Sequence, residues 1–514
     1  MIRLLKLILA ALLAIVISLL GLSFLCRLPD RDGIQTTDRL PPAWEGPVGA
    51  AIRPALDHHA GMDGIRPIAD GRAAFAARAV LAREARSSID AQYYIWQDDT
   101  TGLMLLDELR AAAERGVRVR LLVDDNGIPG LDGLLAELDA MPSADVRIFN
   151  PFALRKPKLL SYTFAFRRLN RRMHNKSMTV DGVATIFGGR NIGDIYFAYG
   201  DGTHYFDVDA VAVGPIVDDV ARTFDAYWNS GAVYPADLLL APPGAPAIAR
   251  LGAEARASAK GAGYQAAVED NQLARQIESH TLDFEWGNAV LYADDPAKGL
   301  GQAADDRLVV EDLFALAGEA TTSLDLVSAY FIPGPRGAEL LEAMARKGIR
   351  VRVLTNSLEA TDVMPVHAGY MRYRQGLVDS GVELLELRSM REEHANRTLP
   401  QLLAGSASGL HAKVFGFDAA RVFIGSYNLD PRSARLNTEM GVLVDSPAMA
   451  ASLAGQLDQS TFAYRVQAAP DGQLTWIETA DDGSTQTYDH DPKTTLFHRL
   501  LSHVVSWLPV EWML

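Results

Sequence analysis

The chain has 514 residues, material for two to four domains. Hydrophobic residues make up 48% and charged residues 22%, an ordinary globular composition that excludes a disordered chain. A net charge of −15 argues against nucleic acid as the main partner, and the single cysteine, Cys26, excludes an internal disulfide or a thiolate metal cluster.

Residues 1–27 read as a membrane anchor. Leu7 to Leu25 is an uncharged run of 19 residues, preceded by Arg3 and Lys6 and followed by Arg27. As a helix, that length crosses about 30 Å of hydrocarbon. The run is longer than the core of a cleaved signal peptide, and no small-x-small cleavage site follows it. Arg3 and Lys6 stand against Arg27 and Arg31, so the flanking charges leave the orientation open.

Residues 28–240 and 286–485 read as two copies of one lobe. SSIDAQYYIWQDDTTGLMLLDELRAAAERGVRVRLLV (87–123) and TSLDLVSAYFIPGPRGAELLEAMARKGIRVRVL (322–354) share a strand, an amphipathic helix and a second strand. Each helix ends on a basic residue and a glycine, Arg115-Gly116 or Lys347-Gly348, a C-cap signature. Strand–helix–strand predicts parallel pairing with helices packed on a sheet, an α/β fold. Between the lobes, residues 241–285 read as a linker, because APPGAPAIARLGAEARASAKGAG (241–263) is rich in Ala, Gly and Pro.

Two further elements close the chain. QLTWIET and TQTYDH flank Asp-Asp-Gly-Ser and predict a β-hairpin. Residues 490–514 predict an amphipathic helix. Leu496, Phe497, Leu500, Leu501, Val504, Val505 and Leu508 form one face, and Arg499, Ser502, His503 and Ser506 the other. Such a helix either docks on the core or lies in a membrane interface, where Trp507 and Trp512 would suit the headgroup boundary.

The chemistry lies in HNKSMTVDGVATIFGGRN (174–191) and HAKVFGFDAARVFIGSYN (411–428). Both obey His-x-Lys-x4-Asp-x6-Gly-(Gly/Ser)-x-Asn, each late in its own repeat, and coincidence is a poor explanation of two copies. In a strand, residues i and i+2 face one side, so His174 projects with Lys176 and His411 with Lys413. Asp181-Gly182 and Asp418-Ala419-Ala420 turn the chain into a return strand. Gly188-Gly189 or Gly425-Ser426 ends that strand, where small residues let backbone amides approach an anion, and Asn191 or Asn428 follows as a neutral donor. Imidazole, ammonium, amide and a glycine turn together suit a phosphate diester. His174, Lys176, Asp181, His411, Lys413 and Asp418 are thus the catalytic candidates. The two aspartates, at the far end of each hairpin from the histidine, read as orienting or structural rather than proton-transferring.

A nucleophilic histidine must be neutral and held by an acceptor on its other nitrogen. Asp207, in YFDVDAV, is the candidate orienter of His174, with Asp209 as competitor, and Glu439, in NTEMGV, that of His411. Residues 151–180 hold Arg155, Lys156, Lys158, Arg167, Arg168, Arg171, Arg172 and Lys176, no acidic residue, and interleaved aromatic and leucine side chains. This stretch either is a solvated loop or docks on anionic headgroups. Its cations should lower the pKa of His174. The less basic approach RSMREEHANRTLPQLLAGSASGL should let His411 stay protonated.

The paired motifs are those of the phospholipase D superfamily. With YYIWQDD, LLVDDNG, FNPF, RRMHNKS, GGRNIGD, LTNSLEATDV, VHAGY, GSYNLDPRSARLNTEMG and LPVEWML, the chain resembles the C-type bacterial cardiolipin synthases over nearly its whole length after the anchor. The resemblance implies two duplicated α/β/α lobes forming one bilobed pair, with a single active site where the motifs meet and an N-terminal transmembrane helix at the bacterial inner membrane. It implies catalysis without metal or cofactor, with His174 as nucleophile and His411 as acid and base. Anionic phosphatidylglycerol is the implied partner, joined by phosphatidylethanolamine or a second phosphatidylglycerol, with the membrane as the site of action and nucleic acid disfavoured. The rivals are phosphodiester hydrolysis, as in a phospholipase or nuclease, and a non-catalytic membrane scaffold. The motifs do not separate transfer from hydrolysis, since only the acceptor differs. Anchor and tail favour transfer, and the intact motif pair argues against a scaffold.

Overall fold

The computed structural model describes residues 2–197, 204–270, 275–276, 283–389, 409–459, 461–508 and 511–513. The first lobe contains β1 (Asp63–Ile68), β2 (Ser88–Ile95), β3 (Arg118–Gly127), β4 (Ala144–Phe149), β5 (Ser177–Val180), β6 (Ala184–Gly188), β7 (Tyr205–Phe206), β8 (Asp209–Val213), β9 (Val233–Pro235) and β10 (Glu285–Gly287). The second contains β11 (Ala289–Ala293), β12 (Ser323–Ser328), β13 (Arg350–Asn356), β14 (Glu383–Leu387), β15 (Gly409–Leu410), β16 (Lys413–Phe417), β17 (Arg421–Gly425), β18 (Met440–Asp445), β19 (Ala463–Ala468), β20 (Leu474–Thr479) and β21 (Thr485–Tyr488).

The duplication is visible strand by strand. One sheet runs β10-β1-β8-β6-β5-β2-β3-β4-β9 and the other β11-β18-β17-β16-β12-β13-β14-β19-β20-β21. Their centres, β8-β6-β5-β2-β3-β4 and β18-β17-β16-β12-β13-β14, have one topology. The predicted strand–helix–strand units are β2, Thr100–Glu114, β3 and β12, Gly334–Arg346, β13, each with parallel strands. Within each unit one acid and one arginine stand directly opposite, Asp90 with Arg120 and Asp325 with Arg352. Both pairs are buried and two-pronged, at 2.7 and 2.8 Å in the first lobe and 2.7 and 3.0 Å in the second. A buried guanidinium is tolerated when its donors are satisfied in this way.

The lobes share a core. Ile65, Phe187, Ala210 and Ala212 of the first meet Val414, Val422, Ile424 and Val442 of the second. These are the faces of the two motif hairpins and their neighbours, so apolar burial is what brings the motifs together.

Two expectations change. The linker expected over 241–285 contains two helices, Ile248–Ala257 and Ala259–Glu269, packed on the first lobe's helices Thr100–Glu114 and Gly71–Glu84. Alanine is the best helix former, and the residues buried there include Ile248, Ala255 and Tyr264. The chain passes from one sheet to the other at Asn288, because β10 still pairs with β1. The terminal helix Leu496–Ser506 docks, but by its polar face: His498, Ser502 and Ser506 are buried, while Leu500, Val504 and Trp507 are exposed. Arg372 donates to the carbonyls of Ser506 and Leu508, satisfying the open end of that helix with a cation. The predicted hairpin forms as β20 and β21 at the edge of the second sheet.

Residues Ile2–Leu25 form a 24-residue helix. Among the described residues no helix is long and apolar enough to cross a membrane. Within Ile2–Leu25 the side chains of Ile2, Leu7, Ile8, Ala11, Leu12, Ile15, Val16 and Leu20 lie outside the described residues.

Candidate active site

Each motif forms an antiparallel hairpin, β5–β6 or β16–β17, with Asp181-Gly182 or Asp418-Ala419 at positive φ in the turn. His174 and Lys176 lie in the extended segment before β5, and His411 stands two residues before β16. The segment ahead of His174 is held from β3, where Asp124 accepts from Arg172 at 2.9 Å and from the N–H of Met173 at 2.9 Å.

The two lobes exchange partners at this point. The N–H of His174 donates to the carbonyl of Thr438 at 2.9 Å, and the residue after Thr438 is Glu439. The N–H of His411 donates to the carbonyl of Phe206 at 2.7 Å, and the next residue is Asp207. Each histidine is thereby pinned beside the carboxylate of the other lobe. His174 Nδ1 lies 2.8 Å from Glu439 Oε2, and His411 Nδ1 lies 2.5 Å from Asp207 Oδ2. The pairing expected from sequence, Asp207 with His174 and Glu439 with His411, is therefore reversed. Asp209, the expected competitor, is instead bound to Arg78 at 2.9 Å.

The Gly/Ser position of the motif has a reason in each copy. A Cβ on Gly189 would stand 2.2 Å from Asp207 Oδ1, so only glycine leaves room for that carboxylate. At the matching place Ser426 Oγ donates to Glu439 Oε2 at 2.6 Å, and its carbonyl lies 3.2 Å from His174 Nδ1. Ser433 Oγ holds the other oxygen, Glu439 Oε1, at 2.7 Å.

Lys176 Nζ donates to the carbonyl of His174 at 2.6 Å; Lys413 Nζ donates to the carbonyl of His411 and lies 3.0 Å from its Nδ1. Both histidines and both lysines are buried. Burial, foremost, lowers His174 to about 4, with Glu439 opposing and Lys176 adding to the fall. Burial, then Lys413, lowers His411 to about 4 against the pull of Asp207. Burial also lowers Lys176 to about 7, and it lowers Lys413. Burial would raise Asp207, but His411 and Lys413 outweigh it and hold the carboxyl well below its usual range. The expected contrast, a neutral His174 and a protonated His411, is absent: burial acts on both rings alike. Most of the less basic approach to His411, residues 390–408, lies outside the described residues.

Asp181 and Asp418 do not reach the histidines. Buried Asp181 accepts the N–H groups of Arg86, Ser87 and Ser88, at 2.7–3.1 Å. Asp418 accepts those of Thr321, Thr322 and Ser323, at 2.7–3.1 Å. Burial opposes ionisation of Asp418, yet these N–H groups, Thr322 first, lower its carboxyl to about 2. Both clamp the turn that leads into the strand beside the motif hairpin. Their candidacy as catalytic groups therefore gives way to a structural role. Asp181→Asn is expected to lower stability by about 2 kcal/mol, as loss of hydrogen bonds to a buried charge does, and to leave kcat at the permissive temperature within about twofold. Thermal unfolding and turnover of one preparation check both; a large loss of kcat in a fully folded variant would return Asp181 to the chemistry.

Asn191 Oδ1 accepts the N–H of Ile95 at 3.1 Å, and Asn428 is buried beside Ser433. Much of the basic stretch is internal: Arg172 pairs with Asp124, Arg155 and Lys158 with Asp125, and Arg171 donates to the carbonyls of Lys298 and Arg435. Lys156 and Arg167 are exposed.

Sequence reasoning gave no role to the tyrosines. Tyr94 lies against His174, ring centroids 5.2 Å apart, and Tyr196 and Tyr205 lie against His411 at 5.3 and 5.2 Å. Tyr205 and Tyr330 both donate to Asp362 Oδ2, at 2.9 and 2.8 Å. The available signal was the place of Tyr94 in YYIWQDD, of Tyr205 in YFDVDAV and of Asp362 in LTNSLEATDV, motifs with no spacing that reveals a shared site.

The family described as cardiolipin synthase, PLD-like domain, matches residues 80–228 and 313–461, one stretch per motif. Cardiolipin synthase C of Escherichia coli (strain K12) is 42% identical over 471 residues, 91% of this chain and 99% of that protein. An uncharacterized protein of Helicobacter pylori is 33% identical over 453 residues, 86% of this chain and 87% of that one. The crystal structure of a phosphatidylserine synthase from Haemophilus influenzae Rd KW20 aligns over 90% of this chain and 100% of its own, with a TM-score of 0.54 at 15% identity, a likeness of fold.

Proposed function

The chain belongs to the cardiolipin synthase family of phospholipase D-like domains, and from that membership we propose that it transfers a phosphatidyl group to phosphatidylglycerol through a phosphatidyl-histidine. It is a phospholipid phosphatidyltransferase. The observation that carries the mechanism is the crossed site, two buried imidazoles each held at Nδ1 by the other lobe's carboxylate. A ring held at Nδ1 presents its Nε2 for attack or proton transfer.

His174 attacks phosphorus, and the P–O bond to the departing alcohol breaks as that oxygen takes a proton from His411. An alkoxide is a poor leaving group, and a general acid is worth about 10²–10⁴-fold. Lys176 and Lys413 offset charge on the phosphoryl oxygens. His411 then removes the proton of an incoming phosphatidylglycerol hydroxyl, which displaces His174 from phosphorus. Both imidazoles are neutral in the free protein, so His411 must gain its proton as the anionic diester arrives and raises its pKa. The donor is phosphatidylethanolamine, releasing ethanolamine, or a second phosphatidylglycerol, releasing glycerol. Lipid chromatography of the purified protein in mixed vesicles with labelled headgroups tests the reading. Cardiolipin is the expected product; phosphatidic acid alone would make the chain a hydrolase.

The pH dependence follows from the site. The lowered His174 protonates only as pH falls through about 4, which removes the nucleophile. The lowered Lys176 loses its charge as pH rises through about 7. Because kcat/KM reports the free enzyme, its profile is expected to fall below about 4 as His174 protonates and to decline above about 4 as His411 loses its proton. A further alkaline limb is expected near 7 as Lys176 loses its charge. Lys176→Arg should carry the alkaline limb upward, because guanidinium stays charged. An unmoved limb would separate Lys176 from it.

Among the described residues no group of three His, Cys, Asp or Glu is placed to hold a metal ion. Activity is expected to survive EDTA; full loss, restored by a divalent ion, would count against a reaction carried by histidine and lysine alone.

We place the chain at the bacterial inner membrane, anchored by its N-terminal helix. The uncharged run from Leu7 to Leu25 supports this. So does the neighbourhood of that helix, which packs beside Tyr162–Leu169, where Leu159, Leu160 and Phe166 are exposed next to Lys156 and Arg167. Asn170, at the end of that segment, accepts from Arg432, which also donates to the carbonyl of Met513. The outward apolar face of Leu496–Ser506, with Trp507 80% exposed, lies just before that point in the chain. Apolar side chains beside exposed cations suit a surface of anionic lipid.

A further inference from the structure

We propose that Asp362, with the rings of Tyr196, Tyr205 and Tyr330, forms a binding site for the ammonium group of a phosphoethanolamine headgroup on the His411 side of the cleft. This rests on the phosphatidyl-transfer reading and assigns the residues that select the donor.

The charges require an explanation that the phosphate does not supply. Lys176 and Lys413 match an anionic diester, and Glu439 and Asp207 are each engaged by a histidine. Asp362 serves neither ring. Its Oδ2 takes the hydroxyls of Tyr205 and Tyr330, while Oδ1 receives no hydrogen bond from the described residues. Among the described residues no lysine or arginine forms an ion pair with it. A carboxylate beside an anion site weakens binding of that anion unless a cation on the same ligand compensates.

Position and reach agree with a cation on the departing alcohol. The Tyr205 ring touches His411 at one end, centroids 5.2 Å apart, and its hydroxyl meets Asp362 at the other, 2.9 Å away. Asp362 is thus one tyrosine beyond the imidazole that protonates the leaving oxygen. In ethanolamine the ammonium is two carbons from that oxygen. Tyr196 stands against both His411 and Tyr205, at 5.3 and 5.4 Å, and tyrosine faces attract cations. The His174 side lacks this character. There Tyr94 Oη accepts from Asn126 at 3.2 Å, and Asn126 accepts from Tyr162 at 3.2 Å, a neutral chain.

In the first half-reaction the His174–phosphorus bond forms and the bond from phosphorus to the ethanolamine oxygen breaks. That oxygen takes the His411 proton, and the ammonium keeps its charge against Asp362 throughout. A glycerol headgroup would leave the carboxylate with only the more distant charge of Lys413.

The test uses the full chain in vesicles of phosphatidylglycerol and phosphatidylethanolamine with separately labelled headgroups. For Asp362→Asn the ratio of ethanolamine to glycerol released is expected to fall about tenfold or more, mostly through KM for phosphatidylethanolamine, with Asp362→Glu recovering part of it. Free ethanolamine should inhibit the parent protein more strongly than Asp362→Asn. An unchanged ratio, whatever the total rate, overturns the subsite, as does a parent protein that makes cardiolipin yet releases no ethanolamine. A parent protein that makes no cardiolipin and releases neither alcohol sinks the transfer reading itself, an outcome distinct from both.

Discussion

His174→Ala and His411→Ala are each expected to lower turnover by about 10³-fold or more, because one loses the nucleophile and the other the proton donor of a single site. Truncation also strands a buried carboxylate, Glu439 or Asp207, at a cost of about 3–5 kcal/mol when a buried pair is broken. The asparagine variants are therefore the cleaner test, since an amide still donates to the carboxylate. Circular dichroism should show a folded protein in both. Residual activity above a few per cent in either folded variant would remove the two-histidine mechanism. The same variants identify the nucleophile. With labelled lipid, His411→Asn is expected to accumulate alkali-stable label on the peptide containing His174. That assignment rests on the superfamily resemblance, because burial foremost lowers both rings to about 4 and gives no local reason to prefer one. Label on His411 in His174→Asn, with none on His174 in the complementary variant, would reverse it.

Glu439→Gln and Asp207→Asn are each expected to cost about 10²–10⁴-fold in kcat, since each carboxylate sets the tautomer and orientation of an imidazole and stabilises its charged form. The crossed pairing makes the two distinguishable. In the His411→Asn background, Glu439→Gln should abolish label on His174, because Glu439 holds that ring at 2.8 Å. Asp207→Asn should change the label little there, because its partner is already gone. An uncrossed site requires the opposite pattern, so single-turnover labelling of the two double variants decides between them.

The clamping aspartates and the orienting carboxylates differ in how far they could be traced along the chain. Asp181 and Asp418 were placed correctly at the hairpin turns, because a turn is a local event set by a few adjacent residues. Their partners, the N–H groups of residues 86–88 and 321–323, are more than 90 residues away and left no local sign. Glu439 and Asp207 were recognised as orienters but assigned to their own lobes. Proximity in sequence favoured that choice; the backbone pairing of His174 with Thr438 and of His411 with Phe206 overrode it.

By itself, the sequence determined the duplication, the strand–helix–strand units and the motif hairpins, and it supplied the candidates for the reacting side chains. Each of these rests on spacing within one segment, where side-chain period, turn residues and caps act over a few residues. Three matters were decided only in the tertiary structure. Residues 248–269 became packed helices rather than linker, because alanine-rich segments gain stability only against a partner surface. The terminal helix turned its apolar face outward, since Arg372 and the buried serines and histidine give its polar face the better seat on the second lobe. The candidate site became an exchange between lobes, with carboxylates and a tyrosine cluster drawn from segments far apart along the chain. Hydrophobic burial at the lobe interface sets that arrangement, and its register depends on which apolar faces meet rather than on any spacing along the chain.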